Sequence, residues 1–314
     1  FIKDYISIRV FSAPAELTIY ILIGFFLGIQ RTIISSSLII ILSILNICFS
    51  IYFVNELGLN VKGVALGTLL SSYITFFSFS VFTYFYFIKR FKVIPRFAYK
   101  KLLNFKKILK LFIINFNIFI RTVLLTFSFF WITYLGSTLG EEYVAVNAVL
   151  LQLIFISSFF LDAYAFSTEG IIGYSLGKKS LKMFSSTVKN SLILSFITGV
   201  LISIFFLFLA KEIINLITDL EFLRFLTYKY LIWIIFIPPI ASIAYQLDGI
   251  FIGATQTKEL RNAMIVSVTI YLFLSVFLTK QLHNYGIWFS LFLFMILRAS
   301  TLHFYFSKIL NKFK

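Results

Sequence analysis

Nine long apolar stretches dominate the chain: 8–29, 33–54, 63–88, 109–135, 143–176, 188–210, 230–254, 262–280 and 285–307. A hydrocarbon core about 30 Å thick takes roughly 20 residues of helix to cross. Lipid offers backbone N–H and C=O groups no partner, so each stretch must satisfy its own and is predicted to be α-helical. Barrel strands would run about ten residues with strict alternation. The passage from Ser191-Leu192-Ile193-Leu194 to Phe205-Phe206-Leu207-Phe208 shows no alternation. The predicted fold class is all-α, a polytopic membrane protein.

Composition narrows this further. Of 314 residues 60% are hydrophobic and only 13% are charged, about half the charge of a soluble domain. A soluble enzyme, a disordered tail and a fibrous protein are therefore excluded. The lone cysteine, Cys48, lies inside an apolar run, so neither a disulfide framework nor a thiolate metal site is expected. A net charge of +16 would suit nucleic acid, but its distribution points to topology. Of 28 Lys and Arg residues, 19 fall on one side: Arg31, the segments 89–110 and 177–189, Lys258, Arg261 and the tail from Lys308. Only Lys3, Lys62, Lys211, Arg224, Lys229 and Lys280 fall on the other, and Arg9, Arg121 and Arg298 lie within spans. The positive-inside rule puts the tail in the cytoplasm. The connection 89–108 carries eight basic residues and Pro95 and reads as a cytoplasmic linker facing anionic headgroups.

An internal repeat underlies the pattern. At an offset of 225, Tyr5, Phe11, Pro14, Tyr20, Gly24, Phe26, Gly28 and Thr32 meet Tyr230, Phe236, Pro239, Tyr245, Gly249, Phe251, Gly253 and Thr257. Gly63-Val64 opens the third span as Gly286-Ile287 opens the ninth. Both copies cross in the same direction, a parallel repeat of the kind transporters use. The second copy has three spans before Tyr230, whereas only four residues precede Tyr5. The expectation is nine helices of a twelve-helix protein. Residues 1–88 would be the last three helices of an N-terminal lobe, 89–108 the linker and 109–314 a six-helix C-terminal lobe.

Several runs carry a family resemblance. They are Arg9-Val10-Phe11-Ser12-Ala13-Pro14-Ala15, Gly63-Val64-Ala65-Leu66-Gly67-Thr68, Ala145-Val146-Asn147-Ala148-Val149-Leu150 and Leu161-Asp162-Ala163-Tyr164-Ala165. Glu169, Leu247-Asp248-Gly249-Ile250-Phe251-Ile252-Gly253-Ala254-Thr255 and Arg261-Asn262-Ala263-Met264 complete the set. Across its length the chain resembles the multidrug and toxic compound extrusion (MATE) transporters, in the branch named for DNA-damage-inducible protein F. The resemblance implies two six-helix lobes around a central cleft, and export of organic, often cationic, compounds against inward H⁺ or Na⁺. In the family's fifth helix an Asn is commonly followed four residues later by Asp; here Asn46 is followed by Ser50. Asn46 and Thr68 remain candidate polar lining residues, as does Asn147.

Four acids lie within spans: Glu16, Asp162, Glu169 and Asp248. Each costs at least ~2.5 kcal/mol at mid-membrane, so such groups face a cavity or a partner. Asp162 and Glu169, seven apart, share a helix face. Arg121 and Asp162 fall at similar depth on consecutive helices and suit either an ion pair or a transport role. Asp248, three residues after Tyr245, is the leading candidate for cation coupling or substrate contact. Glu16 reads as a local feature. Pro14 and Pro238-Pro239 should kink their helices, and the pairs Gly24/Gly28 and Gly249/Gly253 should pack closely against neighbours. Trp131, Trp233 and Trp288 are placed near interfaces. His283 and His303 lie at span ends without ligand partners, so no metal is expected.

The expected function is a secondary active efflux antiporter of the bacterial inner membrane. It would be a monomer using no cofactor beyond its coupling ion, with small organic substrates and the bilayer as its partners. A lipid-linked oligosaccharide flippase is the competing reading. It would want a cleft ringed with Arg and Lys, and only Arg121 and Arg298 lie deep. A membrane enzyme would need a clustered catalytic set, which the sequence lacks.

Overall fold

The computed structural model describes residues 2–92 and 104–313. Among them, nine helices are long and apolar enough to cross a membrane, and the protein is a multi-pass membrane protein. Residues 93–103 of the basic segment, Pro95 included, lie outside the described residues. The chain divides into two compact units, Phe1–Asn104 and Phe105–Lys314.

The first unit holds α1 (Ile2–Gly28), α2 (Thr32–Glu56) and α3 (Asn60–Phe91). A 3-10 turn at Val10–Ser12 interrupts α1 just ahead of Pro14, where proline withdraws a backbone donor. The second unit holds α4 (Phe105–Leu139), α5 (Glu141–Gly177), α6 (Leu181–Ile217), α7 (Glu221–Tyr228), α8 (Leu231–Gly253), α9 (Thr257–Leu282) and α10 (Asn284–Leu310). Helices α4, α5, α8, α10 and α9 form a ring in that order, and α6 backs α5 and α8. Between Ala244 and Phe251 every residue of α8 is buried, so its polar side chains must find partners inside the protein.

Several helices outrun the apolar stretches that announced them. α6 begins at Leu181, capped by Ser180, whose Oγ accepts from the Met183 amide at 3.3 Å. The polar turns on either side of an apolar core keep helical geometry in the headgroup region, which hydropathy does not register. The sequence also gave no sign of α7, a short amphipathic helix burying Leu223 and Thr227. Arg224 on it donates to the Thr218 carbonyl at 2.7 Å and the Asn215 carbonyl at 2.9 Å, closing the end of α6.

The repeat reappears in the backbone. α1 ends at Gly28 and α8 at Gly253; α2 begins at Thr32 and α9 at Thr257, each pair 225 apart. The intervening turns match bond for bond. Gln30 (φ 60°) and Thr255 (φ 53°) take the left-handed conformation. The Arg31 amide donates to Phe26 O at 2.8 Å, as the Gln256 amide does to Phe251 O at 2.9 Å.

The two GxxxG pairs behave differently. A Cβ on Gly249 would meet Ala165 O at 2.6 Å and one on Gly253 would meet Glu169 O at 2.5 Å, whereas Gly24 and Gly28 have nothing within 4 Å. Among the described residues, only the second pair seats helix on helix. The proline step in α8 is accommodated from outside. Pro239 cannot donate to Ile235 O one turn back, and Ser203 Oγ on α6 donates to that carbonyl instead at 2.6 Å. Gly199 makes room for it, since a Cβ there would lie 2.9 Å from Pro238 O.

Gly249→Leu should therefore force α5 and α8 apart at a cost of about 1–3 kcal/mol, seen as earlier thermal unfolding in detergent.

Candidate functional site

The ring of helices in the second unit closes around a charged cluster. Asp248 projects from α8, is 4% exposed, and binds two guanidinium groups through the same oxygen. Arg298 Nη2 on α10 donates to its Oδ2 at 2.6 Å, and Arg121 Nη2 on α4 donates to it as well. Arg298 is itself 1% exposed, with its guanidinium 5.3 Å from the Tyr245 ring centre and 5.8 Å from that of Phe294. Such placement over aromatic faces eases a cation's removal from water. Beside Asp248, Gln246 Nε2 donates to Thr168 Oγ1 on α5 at 2.5 Å.

Asp162 and Glu169, both half-buried on α5, complete the cluster. Asp162 lies in the fields of Arg121, Arg298 and Asp248, and Glu169 in those of Arg121, Asp162 and Asp248. Neither makes an ion pair among the described residues. Of the two readings of Arg121 and Asp162, a direct ion pair is not what forms: Arg121 pairs with Asp248. Arg121 reaches across the ring to Asp248, which is fully enclosed and gains more from a counter-charge than a carboxylate at a partly open position. With all groups ionised, three carboxylates face two guanidiniums, and a single added proton balances the cluster. Among the described residues, Asp248 Oδ1, Arg121 Nε, Arg298 Nε and Gln246 Oε1 have no hydrogen-bond partner.

Asn147 stands apart from this group. Trp288 Nε1 donates to its Oδ1 at 2.8 Å, and its Nδ2 donates to Asn284 Oδ1 at 2.8 Å. It lies fifteen residues before Asp162 on the same helix, roughly 22 Å along the axis. Its partners belong to α10, so Asn147 ties α5 to α10 at a distance from the charged cluster. Trp288, expected near an interface, is wholly buried.

Asn46 and Thr68 belong to the first unit, where Asn46 Nδ2 donates to Thr68 Oγ1 at 2.9 Å. They line a cavity of about 430 Å³ together with Arg9, Glu16, Tyr20 and Ser72. Arg9 pairs with Glu16, with Nη2 to Oε2 at 3.1 Å, and Ser72 Oγ donates to Glu16 Oε1 at 3.2 Å. The seven-residue spacing from Arg9 to Glu16 already placed both on one helix face, a signal the sequence reading did not use. It likewise noted the depth of Arg298 without its partner.

The MatE family model matches residues 118–279. DNA damage-inducible protein F of Escherichia coli is 32% identical over 316 residues, covering 96% of this chain and 64% of that protein. Protein DETOXIFICATION 43 of Arabidopsis thaliana is 25% identical over 298 residues, covering 95% and 55%. The chain therefore spans less than two thirds of the length of these relatives. Among solved structures, a point mutant of the Vibrio cholerae MATE transporter VcmN has a TM-score of 0.86 at 16% identity, over 98% of this chain and 69% of that one. A MOP superfamily transporter from Pyrococcus furiosus has 0.86 at 17%, over 99% and 70%. These two likenesses concern the fold.

Asn147→Ala should leave Trp288 Nε1 and Asn284 Oδ1 without their partner and cost about 1–3 kcal/mol, read as a lowered unfolding midpoint. A binding role would instead leave that midpoint in place.

Proposed function

The chain belongs to the MatE family, and from that premise we propose that it serves a secondary active efflux antiporter. The protein exports organic, often cationic, compounds in exchange for H⁺ by alternating access across a bacterial inner membrane, as a monomer with its C-terminal tail in the cytoplasm. The observation that carries this reading is the surplus carboxylate: Asp162, Glu169 and Asp248 share one membrane-buried cluster with only Arg121 and Arg298. A cluster one proton away from neutrality suits a coupling device, because charge in hydrocarbon is costly and loading that proton changes which conformation is favoured. A ligand shifts such an equilibrium only by its differential affinity for the two states.

Within the cluster the roles divide. Asp248 holds two guanidiniums and fixes them in place. Glu169 and Asp162, free of a direct ion pair, are the groups able to accept and release a proton as the surroundings rearrange. H⁺ is favoured over Na⁺ because two guanidiniums already crowd Asp248. The flippase reading loses its footing for a similar reason: both deep arginines are engaged by Asp248, leaving neither for a diphosphate. The 19 basic residues on one side support the cytoplasmic placement of the tail.

The test is transport by the reconstituted protein in vesicles, with pH and sodium gradients imposed separately. Glu169→Gln should keep its unfolding midpoint and lose efflux driven by a pH gradient. Asp248→Asn should lose efflux and about 3–5 kcal/mol of stability, since it strands two buried guanidiniums. Efflux that follows the sodium gradient alone would overturn the choice of ion. Unimpaired pH-driven efflux by both Glu169→Gln and Asp162→Asn would remove the cluster from the coupling step.

A further inference from the structure

The start of α6 and the end of α10 enclose a groove of about 520 Å³ walled by Phe184, Val188, Phe306 and Leu310, with Lys182 and Ser185 at its rim. Ring contacts fix the two helices there: Phe184 lies 6.1 Å from Phe306 and 5.1 Å from Phe313, centre to centre. α6 leaves and α10 arrives on the same side of the membrane, because α6, α8, α9 and α10 each cross once. The apolar runs begin at 188 on α6 and end at 307 on α10. Val188 and Phe306 therefore sit at the edge of the hydrocarbon, and Lys182 and Leu310 at headgroup level. The groove spans the boundary, apolar below and cationic above.

Its charge is lopsided. Lys178 and Lys179 precede the rim on one side, and Lys308 and Lys312 stand on the other helix. Among the described residues, the acid nearby is Glu259, 8% exposed and already held by Lys308 at 3.2 Å. Lys312 Nζ donates to Ala254 O at 2.6 Å, which holds that cation against the end of α8. Lys179 and Lys182 are exposed and have no acidic partner among the described residues. Basic pockets between membrane helices on the cytoplasmic side hold anionic lipid headgroups, and the volume lies within the ~300–1,000 Å³ of ordinary ligand sites.

We propose that this groove is a binding site for one anionic phospholipid of the cytoplasmic leaflet. The phosphate rests against Lys182 and Lys179, and an acyl chain lies over Phe184, Val188 and Phe306. The site stands on the spanning arrangement and the charge, independently of the transport reading.

Native mass spectrometry of the purified 314-residue protein, supplied with dioleoylphosphatidylglycerol or dioleoylphosphatidylcholine, tests it. The expected result is one retained phosphatidylglycerol, favoured over phosphatidylcholine by about thirtyfold, in keeping with a gain of roughly 1 kcal/mol for each of the two lysines. Lys179→Glu with Lys182→Glu should abolish that preference, and Lys211→Glu at the far end of α6 should preserve it. Val188→Trp fills the groove with its charges intact and should lose the bound lipid. Ser185→Trp should do the same, so that a folding defect in one variant does not decide the matter. Equal retention of the two lipids, a preference that survives both lysine reversals, or glycerol phosphate binding as well as the intact lipid would each overturn the proposal.

Discussion

Two guanidiniums on one carboxylate oxygen organise the second unit. Arg121, Arg298 and Asp248 come from three helices and meet where almost no solvent reaches. Removing an ion from water costs several kcal/mol even in a yielding protein, and only close opposite charge and good hydrogen bonds recover it. The surrounding helices therefore cannot slide independently, because any shift that separates one arginine from Asp248 exposes a bare charge to an apolar interior. The same triad sets the conditions for its neighbours. Asp162 and Glu169 experience two fixed cations and one fixed anion, so their own charge is what is left to change.

The two units share a plan and differ in what they carry. Each contains a helix ending in glycine, the same left-handed turn and a following helix that opens on threonine, 225 residues apart. Within that common frame the first unit places Glu16 where the second has Ala241, and the second places Asp248 where the first has Ile23. Those positions are seven residues apart on matching helices, hence on the same face two turns removed. Each unit thus has an acid on the equivalent surface with an arginine beside it, half-buried in the first unit and enclosed in the second, at a different depth. The glycine pairs diverge in the same way: identical in sequence, among the described residues they support helix contact only in the second unit.

Much of this was legible from the residues. The nine spans follow from length and polarity, because backbone groups in lipid leave helix as the solution, and the repeat follows from rare residues in register. The intramembrane acids and arginines stand out by cost alone. What spacing cannot deliver is the choice of partner across helices: depth sets Arg121 level with Asp162, yet Arg121 pairs with the enclosed Asp248. Asn147 reads as a lining residue because a polar side chain in an apolar run has two uses, and its bond from Trp288 adds a tie between helices that spacing does not reveal. The helix α7 escaped notice because eight amphipathic residues between two long apolar runs resemble any connection.

The hydrogen bond from Ser203 to the Ile235 carbonyl makes α6 and α8 mechanical partners. A proline helix usually has its weakest point at the vacated carbonyl, and there it could bend alone. Here that point is bolted to an adjacent rod, with Gly199 allowing the two backbones to touch. Any flexing of α8 at Pro238-Pro239 must carry α6 along or leave a naked carbonyl in oil, so the two helices move as one lever.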